Sequence, residues 1–178
     1  MKEATVCYLL RENGNGMEVL LGQRRSLFCD GIWNGPGGKF KNKRETILNC
    51  LKREVDEEVA VEIELPSTKH FATLDAYHPH ESGHQLEWRV YFLAVTSWRG
   101  KPRLTDAFEK LEWFPLEDLP YAQMMPDTMA WTRLALNNRN PEKLLEVDIY
   151  YADKDLKSVQ RGLFQFVHQL KGLPKRKL

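Results

Sequence analysis

Between Glu45 and Glu58 neither Gly nor Pro interrupts the chain, and Ile47, Leu48, Leu51 and Val55 recur at helical spacing. The pattern predicts a helix with one buried face. Its other face is acidic. The stretch LKREVDEEVAV, Leu51 to Val61, carries Glu54, Asp56, Glu57 and Glu58. At about 100° per residue, Glu54, Glu57 and Glu58 share one face and Asp56 points elsewhere. Like charges so spaced repel by ~0.2–0.5 kcal/mol per pair, so positive charge is expected beside them. Two partners answer that need: Lys52 and Arg53 on an ordinary solvated face, or a divalent cation, which takes carboxylate oxygens and keeps several waters.

The segment before this helix, GQRRSLFCDGIWNGPGGKFKNKRE, is rich in Gly and basic residues and reads as a long irregular loop, a kind that is usually functional inside a compact domain. Gly35, Gly37 and Gly38 allow close backbone approach directly before the acidic helix. A backbone wall beside a cation suits a phosphate chain, whose charge a bridging metal neutralises. Lys39, Lys41, Lys43 and Arg44 are either further phosphate contacts or a solubilising loop surface.

Around this unit the pattern predicts a mixed sheet with helices. Ala4 to Leu10 and Met17 to Leu21 flank RENGNG, whose Asn-Gly pairs favour a hairpin turn. HFATLDAYH, LEWRVYFLAVTSW and KLEWFPL, with their aromatic and β-branched residues, read as strands. Met129 to Leu136 and Ser158 to Leu170 have helix-compatible spacing, and KGLPKRKL ends the chain as a basic tail. The 178 residues are read as a domain over 1–155 with a helix and tail over 156–178 appended to it. A formal net charge of +1 excludes a general polyanion binder, and no specific nucleic acid is expected as partner. Cys7, Cys29 and Cys50 form no CxxC pair and no zinc set, which fits a reducing compartment. No run approaches the ~20 apolar residues of a membrane span, and the first apolar stretch is too short for a signal peptide. A cytoplasmic protein without a membrane partner is expected.

GKFKNKRETILNCLKREVDEEVAV resembles the Nudix box, Gx5Ex7REUxEExGU with U aliphatic. Arg53-Glu54-Val55, Glu57-Glu58 and Val61 match, and Glu45 stands eight residues before Arg53. The loop from Gly38 to Glu45 holds six residues where five are usual, and Ala60 stands where Gly is usual. Ala60 would cost ~1 kcal/mol if its φ is positive. The resemblance implies an α/β fold, the Nudix α/β/α sandwich with a mixed β-sheet between helices. It also implies a pyrophosphohydrolase that cleaves a nucleoside diphosphate linked to another moiety. Glu54, Glu57, Glu58 and the Gly38 carbonyl would hold Mg2+ or Mn2+, and Arg53 with Glu45 would stiffen the loop. Glu54, Glu57 or a later acid, Asp106 or Glu109, would activate the water.

Within the family, WNGPGGK (Trp33 to Lys39) and EWFPLEDLPYAQMMPD (Glu112 to Asp127) look like the MutT-like subgroup that converts oxidised purine nucleoside triphosphates, such as 8-oxo-dGTP, to monophosphates. By that likeness Asn34 and Asp127 would read the base, alongside Gly37, Gly38, Lys39 and Met125 as substrate contacts. An Asn amide and a carboxylate suit a purine edge. Asn34 also fits a turn before Gly35, and Asp127 an N-cap for the following helix. Met125-Pro126-Asp127-Thr128 lacks the Trp and second Asp of the subgroup's usual Trp-Pro-Asp-Asp, so Phe28, Tyr77 or Trp88 would have to stack on the base. A small nucleotide is the expected partner. Two alternatives stay open: hydrolysis of another nucleoside diphosphate derivative or of capped or triphosphate-ended RNA, for which the tail residues Lys171, Lys175, Arg176 and Lys177 speak, and a non-catalytic ligand-sensing module.

Overall fold

The computed structural model describes residues 1–25, 30–138 and 142–168. The expected hairpin opens the chain: β1 (Lys2–Glu12) and β2 (Met17–Arg24) pair antiparallel, with Leu10 opposite Val19. There follow β3 (Trp33–Asn34), α1 (Ile47–Val59), β4 (Glu62–Ile63), β5 (Thr68–His80), β6 (Gly83–Val95), β7 (Trp98–Arg99), β8 (Phe108–Pro115), α2 (Thr128–Leu136), β9 (Lys143–Tyr151) and β10 (Val159–His168). The main sheet runs β10-β9-β5-β6-β1-β2-β3, with β8 also on β2. Pairing is parallel for β1–β6 and β5–β9 and antiparallel elsewhere, so the sheet is mixed. β4 and β7 form a separate small ladder.

Alternation along the strands sorts the core into two layers. On β1, Val6 and Tyr8 join the cluster under α2, which includes Trp131 and Ala135. Cys7 and Leu9 join the opposite cluster, under Ile47, Leu51, Val55 and Val59 of α1. A sheet with one helix on each face is the α/β/α sandwich. No helix among the described residues is long and apolar enough to cross a membrane.

The sheet is split where the glycine loop lies. β1 follows β6 from Lys2 to Leu9 but meets β2 only from Leu10 to Glu12. The loop fills the gap: Cys7 N donates to Pro36 O at 2.7 Å and Thr5 N to Gly38 O at 2.9 Å. Glycine is required there. A Cβ on Gly35 would stand 2.0 Å from Cys7 O, and one on Gly37, at φ +154°, 2.1 Å from Thr5 O.

One reading of the chain needs correction, and one element went unread. The helix expected over Ser158 to Leu170 is the strand β10, which pairs antiparallel with β9, Gly162 opposite Ile149. Val159, Leu163, Phe166 and Val167 do recur at helical spacing, but Gly162 would weaken a helix interior by ~1 kcal/mol. In the strand it gives room to neighbours, since a Cβ there would lie 2.9 Å from the Phe164 ring and 3.3 Å from Ile149. β9 itself was not expected, although its alternation is plain: Leu145, Val147, Ile149 and Tyr151 are all buried. Phe28, Cys29 and the basic tail lie outside the described residues.

Candidate active site

α1 is set by local chemistry at both ends. Thr46 caps its start, Oγ1 accepting from Asn49 N at 3.1 Å. Ala60 ends it in the left-handed region, φ 57° and ψ 42°, with its N–H donating to Asp56 O. Ile47, Cys50, Leu51, Val55 and Val59 are buried, which turns Glu54, Glu57 and Glu58 away from the core and leaves Asp56 in solvent.

Each of the three carboxylates is held by a cation of the chain. Glu58, which is half-buried, accepts from Arg24 Nη1 and, at 2.7 Å, from Gly37 N. Burial raises its pKa above the usual carboxylate value, against the pull of Arg24 and the Gly37 N–H. Glu54 accepts from Arg53 Nη1. Glu57, exposed, accepts from Lys41 Nζ at 3.1 Å and Arg53 Nη1 at 3.3 Å, and the Lys41 contact lowers its pKa. Arg53 is the hub. Its Nε and Nη2 reach the two oxygens of Glu45 at 2.8 and 3.2 Å, and Nη2 also donates to Lys39 O at 3.0 Å. Those bonds push Arg53 further up and hold Glu45 below the usual carboxylate range. With side chains 17% and 10% exposed, Arg53 and Glu45 are a largely desolvated pair that ties the glycine loop to the helix.

The donor set matches a hard divalent cation in kind: three carboxylates and a carbonyl. The glycine loop lies close against one of these carboxylates: a Cβ on Gly38 would fall 2.4 Å from Glu54 Oε2, so only a bare backbone fits beside it. The Gly38 carbonyl accepts from Thr5 N at 2.9 Å and, more weakly, from the Cys50 thiol at 3.7 Å, a contact a cation could displace. Among the described residues no three acidic, His or Cys side chains converge closely enough to hold a metal as they stand. A metal held by all three carboxylates would require them to exchange their cationic partners.

The other candidate residues are distributed as follows. Asn34 is partly buried at the end of β3, and its Oδ1 accepts from Gly35 N at 2.9 Å, which leaves the amide NH2 as a donor. Lys39 is exposed, its Nζ 5.2 Å from the centre of the Trp88 ring rather than on a carboxylate. Met125 packs from the side against the α2 layer, and Met124 is the buried one. Asp127 precedes α2 but makes no side-chain cap. It is 4% exposed, and its two oxygens accept from Trp131 Nε1 at 2.8 Å and Tyr151 OH at 2.6 Å. Of the later acids, Glu109 is an exposed residue 4.0 Å from Arg25. Tyr77 stacks on Tyr150, at 4.5 Å between ring centres.

The sequence pattern did not single out Arg24 or Tyr8. Arg24 closes β2 and spans Glu58 and the carbonyls of Gly35 and Gly37, the latter at 3.2 and 2.7 Å. Its signal was its place at the end of the alternating MEVLLGQR. Tyr8 is fully buried under α2, its hydroxyl beside that of Thr132.

Residues 1–134 match the model of the NUDIX domain. The chain is 30% identical over 121 residues to the oxidized purine nucleoside triphosphate hydrolase of Mus musculus, a match covering 68% of this chain and 73% of the relative. It is 28% identical over 127 residues to the Danio rerio protein of the same name, with the same coverage. The MutT protein of Bacillus halodurans superposes with a TM-score of 0.73, covering 92% of this chain and 97% of that one, at 22% identity. At that identity the likeness speaks for the fold alone.

Proposed function

This chain belongs to the Nudix family of hydrolases, and on that premise we propose that it converts purine nucleoside triphosphates, oxidised ones such as 8-oxo-dGTP foremost, to monophosphate and pyrophosphate with the help of Mg2+ or Mn2+. The observation that carries the reading is the acidic face of α1 pressed against a glycine loop so closely that Gly38 has no room for a Cβ beside Glu54. The names of the mouse and zebrafish relatives support the choice of base.

In this reading Glu54, Glu57, Glu58 and the Gly38 carbonyl hold the ion. The ion, when bound, offsets the polyphosphate charge and makes the phosphorus under attack more electrophilic. The chain's own groups do the positioning. Arg53, anchored by Glu45 and Lys39 O, fixes the loop against the helix, so donor oxygens keep their places as substrate arrives. Glu54 presents one oxygen to Arg53 and the other to the loop, and is the candidate for orienting the attacking water. Glu57, or an acid beyond α1 such as Glu109, is the alternative base.

The base lies on the α2 side, where Trp33 of the loop joins the core. Asn34 offers its amide NH2 to the purine edge. Asp127 is committed to Trp131 and Tyr151, so it serves the base first by fixing those rings, and touches it through the lone pairs left over.

The test is pyrophosphate release with Mg2+, comparing 8-oxo-dGTP, dGTP, dATP, a dinucleoside polyphosphate, ADP-ribose and a 5′-triphosphate RNA. Preferential turnover of the oxidised nucleotide is expected, with a loss of ~10²-fold or more in Glu58→Gln. No pyrophosphate from any purine triphosphate, or full activity in Glu58→Gln, would sink the proposal.

A further inference from the structure

The cations that hold the three carboxylates are not equivalent. Arg53 is tied to Glu45 through two nitrogens and to the Lys39 carbonyl, so it has structural work apart from Glu54 and Glu57. Lys41 meets Glu57 in solvent. Arg24 is different. Every hydrogen bond of its guanidinium described here ends on Glu58 or on the glycine-loop carbonyls of residues 35 and 37, and its face rests on Phe108 at 4.8 Å. The Arg24 and Glu58 side chains are 17% and 13% exposed. A carboxylate that far out of water carries a desolvation penalty unless a positive group or hydrogen-bond donors compensate it. One carboxylate and two carbonyls, gathered around one positive group, are also the oxygens that a hard divalent ion takes.

We propose that Arg24 is the resident counter-ion of Glu58 and competes with the divalent metal for it, so that metal and nucleotide enter together. The inference rests on the reading of Glu58 as a metal ligand. When Arg24 occupies Glu58, a metal ion approaching alone meets a carboxylate already neutralised, with a second positive charge beside it. A polyphosphate changes that balance. Its oxygens match the planar fork of a guanidinium in bidentate fashion, so Arg24 can exchange the carboxylate for a phosphate without losing its charge partner. Glu58 is then released to the metal. The two ligands are coupled through one side chain, each raising the affinity of the other by the same factor. Arg24 is thus a positioning residue, acting on the metal through Glu58.

Mn2+ binding, followed by the electron paramagnetic resonance signal of the free ion, tests this apart from turnover. It is measured on wild type, Arg24→Gln, Arg24→Lys and Glu58→Gln, first without nucleotide and then with a non-hydrolysable α,β-imido purine triphosphate. Without nucleotide, Arg24→Gln is expected to bind Mn2+ about tenfold more tightly than wild type, within the usual range of such couplings. It should also lose most of the further tightening that the analogue gives wild type. Arg24→Lys keeps a charge but not the fork that spans Glu58 and two carbonyls. It should fall between the two, and it carries the test if Arg24→Gln does not fold. Unchanged or weaker Mn2+ binding in a folded Arg24 variant would overturn the competition while leaving Glu58 a ligand. Equal Mn2+ binding by wild type and Glu58→Gln in the presence of the analogue would instead overturn the ligand reading, and the inference with it.

Discussion

Two glycines of one loop are required for different reasons, and substitution separates them. A Cβ on Gly35 meets the backbone carbonyl of Cys7 at 2.0 Å, an atom that cannot turn aside. Gly35→Ala should therefore cost ~3 kcal/mol or more, read as a drop in the urea midpoint, because the loop can no longer lie in the split between β1 and β2. A Cβ on Gly38 meets first the carboxylate end of the Glu54 side chain. Gly38→Ala should keep its stability within ~1 kcal/mol and lose ~10²-fold in turnover, since a carboxylate displaced by about an ångström is the whole effect. Similar losses of stability in both variants would mean that the loop, not Glu54, is what Gly38 serves. The same residues mark how far the site could be read in advance. The shared face of Glu54, Glu57 and Glu58 was legible because it follows from helical spacing, and the Glu45–Arg53 pair because the resemblance to the Nudix box implied it. The role of Arg24 was not, since its partner Glu58 lies 34 residues away, nor was the hold of Asp127 on Tyr151, 24 residues away. Local pattern says what a residue can offer, and only the fold says who is there to take it.

At the scale of elements, α1 and β10 show where local preference decides and where it yields. α1 carries its own start signal in Thr46 and an apolar stripe of helical period, so tertiary context had nothing to override. Its end is the exception. Ala60 adopts φ 57°, a conformation that Gly takes without strain, and Ala60→Gly should stabilise the protein by ~0.5–1 kcal/mol, seen as a higher urea midpoint with turnover unchanged. A destabilised Ala60→Gly would mean that the entropy Gly adds to the unfolded chain outweighs the relieved strain. In β10 the apolar spacing fits a helix as well as a strand, and β9 decides the matter. Without β10, the outer side of β9 would leave its N–H and C=O groups unpaired beside a row of buried side chains. Strand formation satisfies that ladder, while a helix over the same residues would satisfy only itself. The expectation failed because β9 had not been recognised, and an edge cannot be completed before it is known to exist.

At the scale of the whole molecule, the sheet keeps the two layers apart, and one buried base within it makes stability depend on pH. His70 on β5 is 8% exposed, 5.8 Å from the Tyr91 ring, with Nε2 3.0 Å from both Ala72 O and Thr73 Oγ1. Burial lowers its pKa from 6.5 to about 4. The folded protein therefore holds a neutral imidazole over a range in which the unfolded chain takes up a proton. Above pH 6.5 neither state is protonated and His70 contributes no slope. As pH falls from 6.5 towards 4 the unfolded chain gains its proton first, so stability falls, by up to about 3 kcal/mol across the window. Glu45, whose pKa is lowered chiefly by Arg53, loses its stabilising ion pair only as pH passes below the ordinary carboxylate value, so most of its effect lies at the acid end. Urea midpoints of wild type and His70→Gln at pH 7.5, 6.0 and 5.0 separate the two. Wild type should weaken steadily over that series, and His70→Gln, with no proton to take up, should weaken much less. Parallel curves would show that the imidazole is protonated in the folded state as readily as in the unfolded one. The β5 strand would then have to supply the charged ring with water or an acidic partner.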